Sequence, residues 1–215
     1  MTRAIRIGVT GKIGSGKSTL LRIMAERGMT VVNTDLIARN LMESDKELRT
    51  QIIALLGSEA YCDDALNRAY VASMIFHDAA LREKLEAIVH PAVTREVEFV
   101  FQNSEPGKMV AVESALILHF DFQAHFDYII LIDSSDEESI ARLRSSRTIS
   151  EEDARARLAE QHYESVPRDE ADFVIENNGT QEDFEKRCGA LLAMLDVITM
   201  RTLPEEPLHS IEEEE

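Results

Sequence analysis

A loop close to the start of the chain has the residue types and spacing that bind phosphate. Residues 11–19 read GKIGSGKST and match G-x-x-x-x-G-K-[ST] at every fixed position. The glycines let backbone N–H groups turn towards a polyphosphate, the lysine can reach and neutralise the β- and γ-phosphates, and the serine hydroxyl can ligate Mg²⁺. The motif therefore predicts ATP and Mg²⁺ as cofactors, with Ser18 as the metal ligand. The residues assigned to the nucleotide are Gly11, Gly14, Ser15, Gly16, Lys17, Ser18 and Thr19. Lys17 is also assigned a catalytic role, because it would neutralise phosphate charge.

A carboxylate follows the second apolar run of the chain. Asp35 lies 18 residues after Lys17, at the end of a predicted strand, where open α/β sheets bind their ligands. We interpret it as a catalytic group that either accepts a proton from a substrate hydroxyl or orients that hydroxyl for attack. The structural alternative, compatible with both, is an N-cap for a helix over residues 36–42.

An arginine-rich segment later in the chain offers cations for a transferred phosphate. Arg142, Arg144 and Arg147 could stabilise charge that develops in the transition state. Arg142 and Arg144 would face different ways on a helix, so we do not expect them to share a role. We assign catalytic roles to Arg142 and Arg147. The alternative for each is a solvated helix face that balances nearby glutamates.

Three other sites each allow two interpretations. Glu113, at the end of an apolar run, either holds Mg²⁺ through water or caps the next segment. His90, before a proline, is either a substrate-site residue or a hydrogen-bonded core histidine. The backbone of residues 177–179 either contacts adenine or forms a plain turn between a strand and a helix.

The elements that must position these residues are strands alternating with helices. Strands are predicted at residues 5–9, 30–32, 109–112, 128–132 and 173–175. Amphipathic helical stretches separate them, which favours a three-layer α/β/α fold around a parallel sheet. The loop and Asp35 would then share the carboxyl edge of that sheet.

The sequence pattern from residue 45 to 103 is almost wholly that of helices, and this stretch is longer than one crossover helix needs. We predict an inserted helical substrate subdomain over about residues 36–105, and Pro91 should kink or split its last helix near His90. Two serine capping boxes predict a helical lid over about 136–167. The core would comprise residues 1–35, 106–135 and 168–200, within a catalytic domain of residues 1–203. Residues 204–215 are predicted to be a disordered acidic tail.

Composition limits the class of protein. The 215 residues are 44% hydrophobic and 29% charged, as in globular proteins, and the net charge of −17 argues against nucleic acid or an anionic membrane as partner. Two cysteines cannot form a disulfide framework and are expected to be buried or half-buried thiols. With no signal peptide and no apolar stretch near 20 residues, we expect a cytoplasmic protein, either a monomer or a weak homo-oligomer.

Taken together, several segments resemble the dephospho-CoA kinase family, over about residues 3–200. The phosphate-binding loop is shared by many families, whereas the ordered set is far more specific. The segments are 7–18 (IGVTGKIGSGKS), 35–39 (DLIAR), 66–68 (LNR), 88–91 (IVHP), 112–117 (VESALI), Gln161 and 171–179 (ADFVIENNG).

The resemblance implies transfer of the ATP γ-phosphate to the ribose 3′-hydroxyl of dephospho-CoA, giving CoA and ADP, the last step of CoA biosynthesis. It implies a fold like that of the nucleoside monophosphate kinases, with Mg²⁺ and a helical CoA-binding subdomain. Residues 14–19 would bind the ATP phosphates, Asp35 would be the base, and Arg39 and the His90 region would lie on the acceptor side.

The chain departs from the family pattern beside the nucleotide, in the lid and on the acceptor side. Lys12 replaces the usual glycine, His119 a common glutamate and Pro167 a common lysine, while Ser146 interrupts the lid arginine pattern. We expect the chemistry to be kept, with lid contacts passing to Arg147, Arg144 or Arg168. Two alternatives remain: a kinase of another nucleoside or nucleotide, and a non-catalytic ATP-binding protein.

Overall fold

Strands and helices alternate along the chain. The computed structural model describes residues 3–76, 78–114, 117, 122–147, 149–160 and 168–201. Within these residues the elements are β1 (Ile5–Thr10), α1 (Lys17–Glu26), β2 (Thr30–Asn33), α2 (Thr34–Ser44), α3 (Lys46–Leu56), β3 (Tyr61–Cys62), β4 (Ala65–Leu66), α4 (Arg68–Phe76), α5 (Ala79–Asn103), β5 (Met109–Glu113), β6 (Tyr128–Asp133), α6 (Asp136–Arg147), α7 (Glu151–Glu160), β7 (Phe173–Glu176) and α8 (Gln181–Arg201).

Five strands form one parallel sheet in the order β2-β5-β1-β6-β7. All five predicted strands are confirmed. In the register, Ile7 lies opposite Ala111 on one side and Tyr128 on the other. Because β2 and β5 lie on one side of β1 and β6 and β7 on the other, the loop after β1 occupies the point where the connections reverse direction, a common ligand position.

Helices cover both faces of the sheet, which confirms the predicted three layers. Side chains of β5 alternate between the faces: Met109 and Ala111 join one apolar core, and Val110 and Val112 join the other. The first core is completed by α1 and α8, and the second by α5 with partly buried residues of α2. The sheet is therefore buried on both sides, as parallel sheets usually are.

The helices between β2 and β5 enclose a further core, built from α3, α4 and α5. Pro91 was expected to kink or split this helix near His90; the split is wrong, because one helix runs from Ala79 to Asn103 with Pro91 inside it, and the kink stays a prediction. An internal proline costs a helix about 3 kcal/mol. Packing offsets that cost, since Leu85 and Ala92 are buried in the helical core while Val97 is buried against the sheet.

The paired helices α6 and α7 begin as the sequence predicts. Ser135 Oγ accepts the Glu138 N–H at 3.2 Å, and Ser150 Oγ accepts the Asp153 N–H at 3.0 Å. Ile140, Leu143 and Ala154 form a small core between the two helices.

Several predictions fall on residues that the structure does not describe. They concern His119, Gln161, Pro167, the side chains of Ser146 and Arg147, lid residues 161–167 and the tail at 204–215. Within the described part of the chain, no helix is both long enough and apolar enough to cross a bilayer.

Candidate functional site

A cavity of about 970 Å³ opens at the carboxyl edge of the sheet. Its wall combines the loop after β1, the start of α2, the end of β5 and the inner side of α6. The fold therefore brings together predicted residues from distant parts of the sequence. They are Gly14, Gly16, Lys17, Ser18, Thr19, Asp35, Arg39 and Arg142.

The loop after β1 has the backbone that its glycines allow. Gly14 and Gly16 have positive φ angles of 76° and 113°. A side chain on Gly14 would bring its Cβ within 2.6 Å of the Ser139 carbonyl oxygen, and one on Gly16 would come within 2.5 Å of Asn177 Nδ2. Glycine is required at both positions because α6 and the turn after β7 approach the loop so closely. The helix α1 begins directly after Gly16, so its positive end faces the cavity.

The ammonium of Lys17 lies within the curve of this loop. Nζ donates to the carbonyl oxygens of Gly11 at 2.7 Å and Lys12 at 3.1 Å. It also lies 3.9 Å from Glu113 Oε1, and its side chain is only 12% exposed. The cation is thus held beside the backbone that is predicted to bind the phosphates.

Asp35 lies in the first turn of α2, and Arg39 lies one turn later on the same face. Both residues are exposed and line the cavity. Among the described residues, neither side chain makes a hydrogen bond or an ion pair. The N-cap interpretation of Asp35 is wrong, because α2 begins at Thr34 and the Asn33 side chain accepts the Leu36 N–H at 2.9 Å.

Glu113 joins the ends of two neighbouring strands. Its Oε2 accepts from Asn33 Nδ2 at 2.7 Å, and its backbone oxygen accepts from Thr34 Oγ1 at 3.0 Å. These contacts give Glu113 a structural role between β2 and β5, while the two predicted roles, capping of the next segment and holding Mg²⁺ through water, stay predictions. Among the described residues, no group of three His, Cys, Asp or Glu side chains could by itself hold a metal ion.

The arginines that were predicted to contact phosphate differ in whether they line the cavity. Arg142 lines the cavity, and its Nη2 donates to the Asn177 carbonyl oxygen at 2.7 Å and to Glu138 Oε2 at 3.1 Å. Its buried Nη1 has no hydrogen-bond partner among the described residues.

By contrast, the structure does not bring Arg144 or Arg168 to the cavity. Arg144 pairs with Glu151 at 3.1 Å, while Arg168 donates to Glu176 at 2.9 Å and to Asp133 at 2.7 Å. The hydrogen bond to Glu176 is the largest cause that raises the pKa of Arg168. The placement of the Arg147 side chain lies outside the described residues.

The sequence did not reveal how the turn after β7 connects the loop to α6. The buried Asn177 Nδ2 donates to the Ser15 carbonyl oxygen at 2.7 Å, and Asn178 Oδ1 accepts the Ser135 N–H at 2.7 Å. Lys12 adds an ion pair to Asp136 at the start of α6. The asparagines after the last strand were the only sequence signal, and they did not identify these partners.

His90 is half-buried on α5 and is not among the residues that line the cavity. Its ring meets Phe122 edge-on, with the ring centroids 5.5 Å apart. The structure therefore does not bring His90 to the wall formed by Asp35 and Arg39.

Comparison with known proteins identifies the family. A sequence model described as dephospho-CoA kinase matches residues 5–183. The chain belongs to the dephospho-CoA kinase family. Two dephospho-CoA kinases with similar sequences are those of Salinibacter ruber, 34% identical over 86% of this chain and 94% of the relative, and Corynebacterium jeikeium, 36% identical over 83% and 93%. The activity is accordingly ATP-dependent phosphorylation of dephospho-CoA in CoA biosynthesis.

Solved structures share the fold of this chain. The Thermus thermophilus protein TT1252 superposes with a TM-score of 0.73 and 32% identity, over 89% of this chain and 98% of its own. A dephospho-CoA kinase from Campylobacter jejuni has a TM-score of 0.58 and 24% identity, over 88% and 96%. A shikimate kinase from Bacteroides thetaiotaomicron, at 15% identity and a TM-score of 0.54 over 89% and 98%, shares the fold.

Proposed function

We propose that the cavity transfers the γ-phosphoryl group of ATP to the ribose 3′-hydroxyl of dephospho-CoA. The observation that carries this proposal is that Lys17, Asp35 and Arg142 line one cavity. The 3′-oxygen would attack the γ-phosphorus, its proton would pass to the Asp35 carboxylate, and the bond to the bridging oxygen of ADP would break. This reaction depends on positioning and charge neutralisation more than on covalent help from the protein.

On the donor side, the loop and the start of α1 would hold the phosphates of ATP. The residues assigned to them are Gly11, Gly14, Ser15, Gly16, Lys17, Ser18 and Thr19. The donors fit Mg²⁺ that arrives with the nucleotide, because Mg²⁺ usually keeps several waters and takes few protein ligands besides phosphate oxygens. Ser18, which lines the cavity, would hold the ion. When bound, Mg²⁺ would neutralise charge on the β- and γ-phosphates.

On the acceptor side, Asp35 and Arg39 would meet dephospho-CoA. Arg39 lies one turn after Asp35 and is exposed in the same cavity, where a cation suits the phosphates of the acceptor. The helices of residues 36–105 would hold the rest of the acceptor. A role for His90 in that binding stays a prediction.

The lid would supply a cation to the transferred group. The buried Nη1 of Arg142, without a partner among the described residues, could donate to a phosphate oxygen at little cost in lost contacts. Arg147 stays a predicted second cation. Residues 136–167 would close over the nucleotide and exclude water, which limits ATP hydrolysis.

The protein would act in the cytoplasm on a small-molecule acceptor, with no nucleic acid as partner. The net charge of −17 opposes the close approach of nucleic acid and of other copies of the chain. It therefore supports the absence of a nucleic-acid partner and a monomer or weak homo-oligomer.

The decisive experiment mixes the purified protein with Mg·ATP and dephospho-CoA and measures ADP and CoA together. Equal amounts of the two products would support the proposal. ADP without CoA would contradict the acceptor, and neither product, with ATP still bound, would contradict catalysis. Asp35→Asn should lower transfer at least about 100-fold while ATP binds nearly as before. An equal loss of ATP binding would make Asp35 a metal or structural group.

A further inference from the structure

Asn33 connects two elements at the edge of the cavity. Its Oδ1 accepts the Leu36 N–H at 2.9 Å and so caps α2, while its Nδ2 donates to Glu113 Oε2 at 2.7 Å. Asn33 lies directly opposite Glu113 in the register of β2 and β5. One amide therefore fixes the first turn of α2 to the end of β5.

Glu113 continues this connection towards the phosphate-binding loop. While one of its carboxylate oxygens accepts from Asn33, the other lies 3.9 Å from Lys17 Nζ. The Lys17 and Glu113 side chains are 12% and 20% exposed, so water screens this pair less than it screens a surface pair. A continuous path thus runs from Lys17 through Glu113 and Asn33 to the helix that carries Asp35.

We propose that Asn33 and Glu113 are positioning residues that fix Asp35 relative to Lys17. This inference rests on the proposed function, in which Lys17 contacts the donor phosphates and Asp35 the acceptor hydroxyl. The Asp35 side chain makes no hydrogen bond or ion pair with the other described residues, so its position depends on the helix that carries it. A displacement of about 1 Å can lower the rate of such a reaction about 100-fold.

Substitutions at both ends of the bond separate positioning from capping and from charge. Asn33→Ser keeps a side chain that caps helices well but cannot reach Glu113. Glu113→Gln removes the charge but keeps an oxygen that can accept from Asn33, whereas Glu113→Ala removes both. We expect Asn33→Ser and Glu113→Ala each to lower kcat about tenfold, with KM for ATP within about twofold, and Glu113→Gln to keep kcat within about threefold.

A double-mutant cycle tests whether the two residues act through the same bond. Since either single change breaks the bond, the double variant Asn33→Ser with Glu113→Ala should be within about twofold of the slower single variant. Additive losses, or an Asn33→Ser variant with unchanged kcat, would overturn the proposal. Asn103→Ser is the matched control, because Asn103 is exposed at the end of α5 and its Nδ2 donates to the Phe99 carbonyl oxygen. Its kcat should not change.

Hydrogen exchange in α2 supplies a readout that does not depend on activity. Glu113→Ala should speed exchange in the first turn of α2, and Glu113→Gln should not. Equal exchange in both variants would contradict the positioning role. If the wild-type chain fails to phosphorylate dephospho-CoA, the proposed function and this inference fall together. If it succeeds but the losses are additive, only the positioning role is refuted.

Discussion

Two arginines of α6, two positions apart, have different surroundings. Arg142 is 27% exposed and faces the cavity, whereas Arg144 is 53% exposed and pairs with Glu151. We expect Arg142→Ala to lower kcat/KM more than about tenfold, because the variant lacks the charge that we propose stabilises the transition state. Arg144→Ala should stay within about twofold, since an exposed ion pair contributes little. Steady-state kinetics of both variants check this, and equal losses would contradict the assignment of Arg142.

The two cysteines also differ, and one of them corrects an expectation. Cys62 is exposed, although both thiols were expected to be buried or half-buried. Cys188 lies on α8 and is buried in the core that α8 forms with α1 and the sheet, and burial raises its pKa to about 12.

A thiol reagent at about pH 8 should therefore modify Cys62 and leave Cys188 intact, since the thiolate is the reactive form. One thiol per chain should react in the native protein and two in denaturant. Cys62→Ser should abolish the native reaction. Rapid modification of two native thiols would show that the core around Cys188 opens readily.

At the scale of elements, the turn after β7 holds the phosphate-binding loop. Asn177 is buried, and its amide N–H is the group that bonds to the Ser15 carbonyl oxygen. Asn177→Asp keeps the shape but places a carboxylate oxygen against that carbonyl, so the loop must shift. We expect ATP affinity to fall at least about tenfold, measured by calorimetry, which corresponds to about 1.4 kcal/mol.

Asn67→Asp is the comparison for this change. In the wild type, Asn67 Nδ2 donates to the Glu59 carbonyl oxygen at the surface of the helices between β2 and β5, away from the loop. ATP affinity should be unchanged in that variant. If Asn177→Asp also binds ATP as the wild type does, the turn is not needed to shape the loop.

Local sequence patterns predicted much of this fold and part of its site. The five strands, the loop and Asp35 depend on short motifs and alternation, which are visible in one stretch of sequence. The continuity of α5 through Pro91 depends on packing against two separate cores, and no local pattern contains that information. The bond from Asn177 to Ser15 joins residues 162 positions apart, so its partner could not be identified from a single sequence.

At the scale of the whole molecule, one carboxylate makes stability depend on pH. Asp127 accepts two hydrogen bonds from Arg3, at 2.8 and 2.6 Å, and one from the Arg6 N–H at 2.9 Å. Burial by itself would raise the pKa of Asp127, but these hydrogen bonds outweigh it and lower the pKa below its ordinary value of 3.8. The stabilisation is therefore fully present above about pH 4 and is lost as the pH falls through the folded-state pKa.

Asp127→Asn should lower the free energy of unfolding at pH 7, because the charged hydrogen bonds from Arg3 are weakened. The loss should be only about 1 kcal/mol, because Arg3 is half exposed and water screens the pair. Between about pH 5 and about pH 2, the range over which carboxylates titrate, the variant should also lose less stability than the wild type. Urea unfolding across that range provides the measurement. Asp64→Asn is the control, since the Asp64 side chain is 92% exposed. Parallel pH profiles for Asp127→Asn and the wild type would refute the assignment.

The unbroken helix α5 also affects how the molecule can close around its substrates. Its 25 residues extend about 37 Å. One part of this helix is buried in the core formed with α3 and α4, and another part is buried against the sheet. The helices between β2 and β5 therefore cannot rotate as a unit relative to the sheet without bending α5 or opening one of those cores. The α6–α7 pair has a small core, against which Ile13 of the loop after β1 packs, and it also bonds to the turn after β7 through polar contacts. We expect closure to be asymmetric: the acceptor side stays in place, and the α6–α7 pair moves towards it.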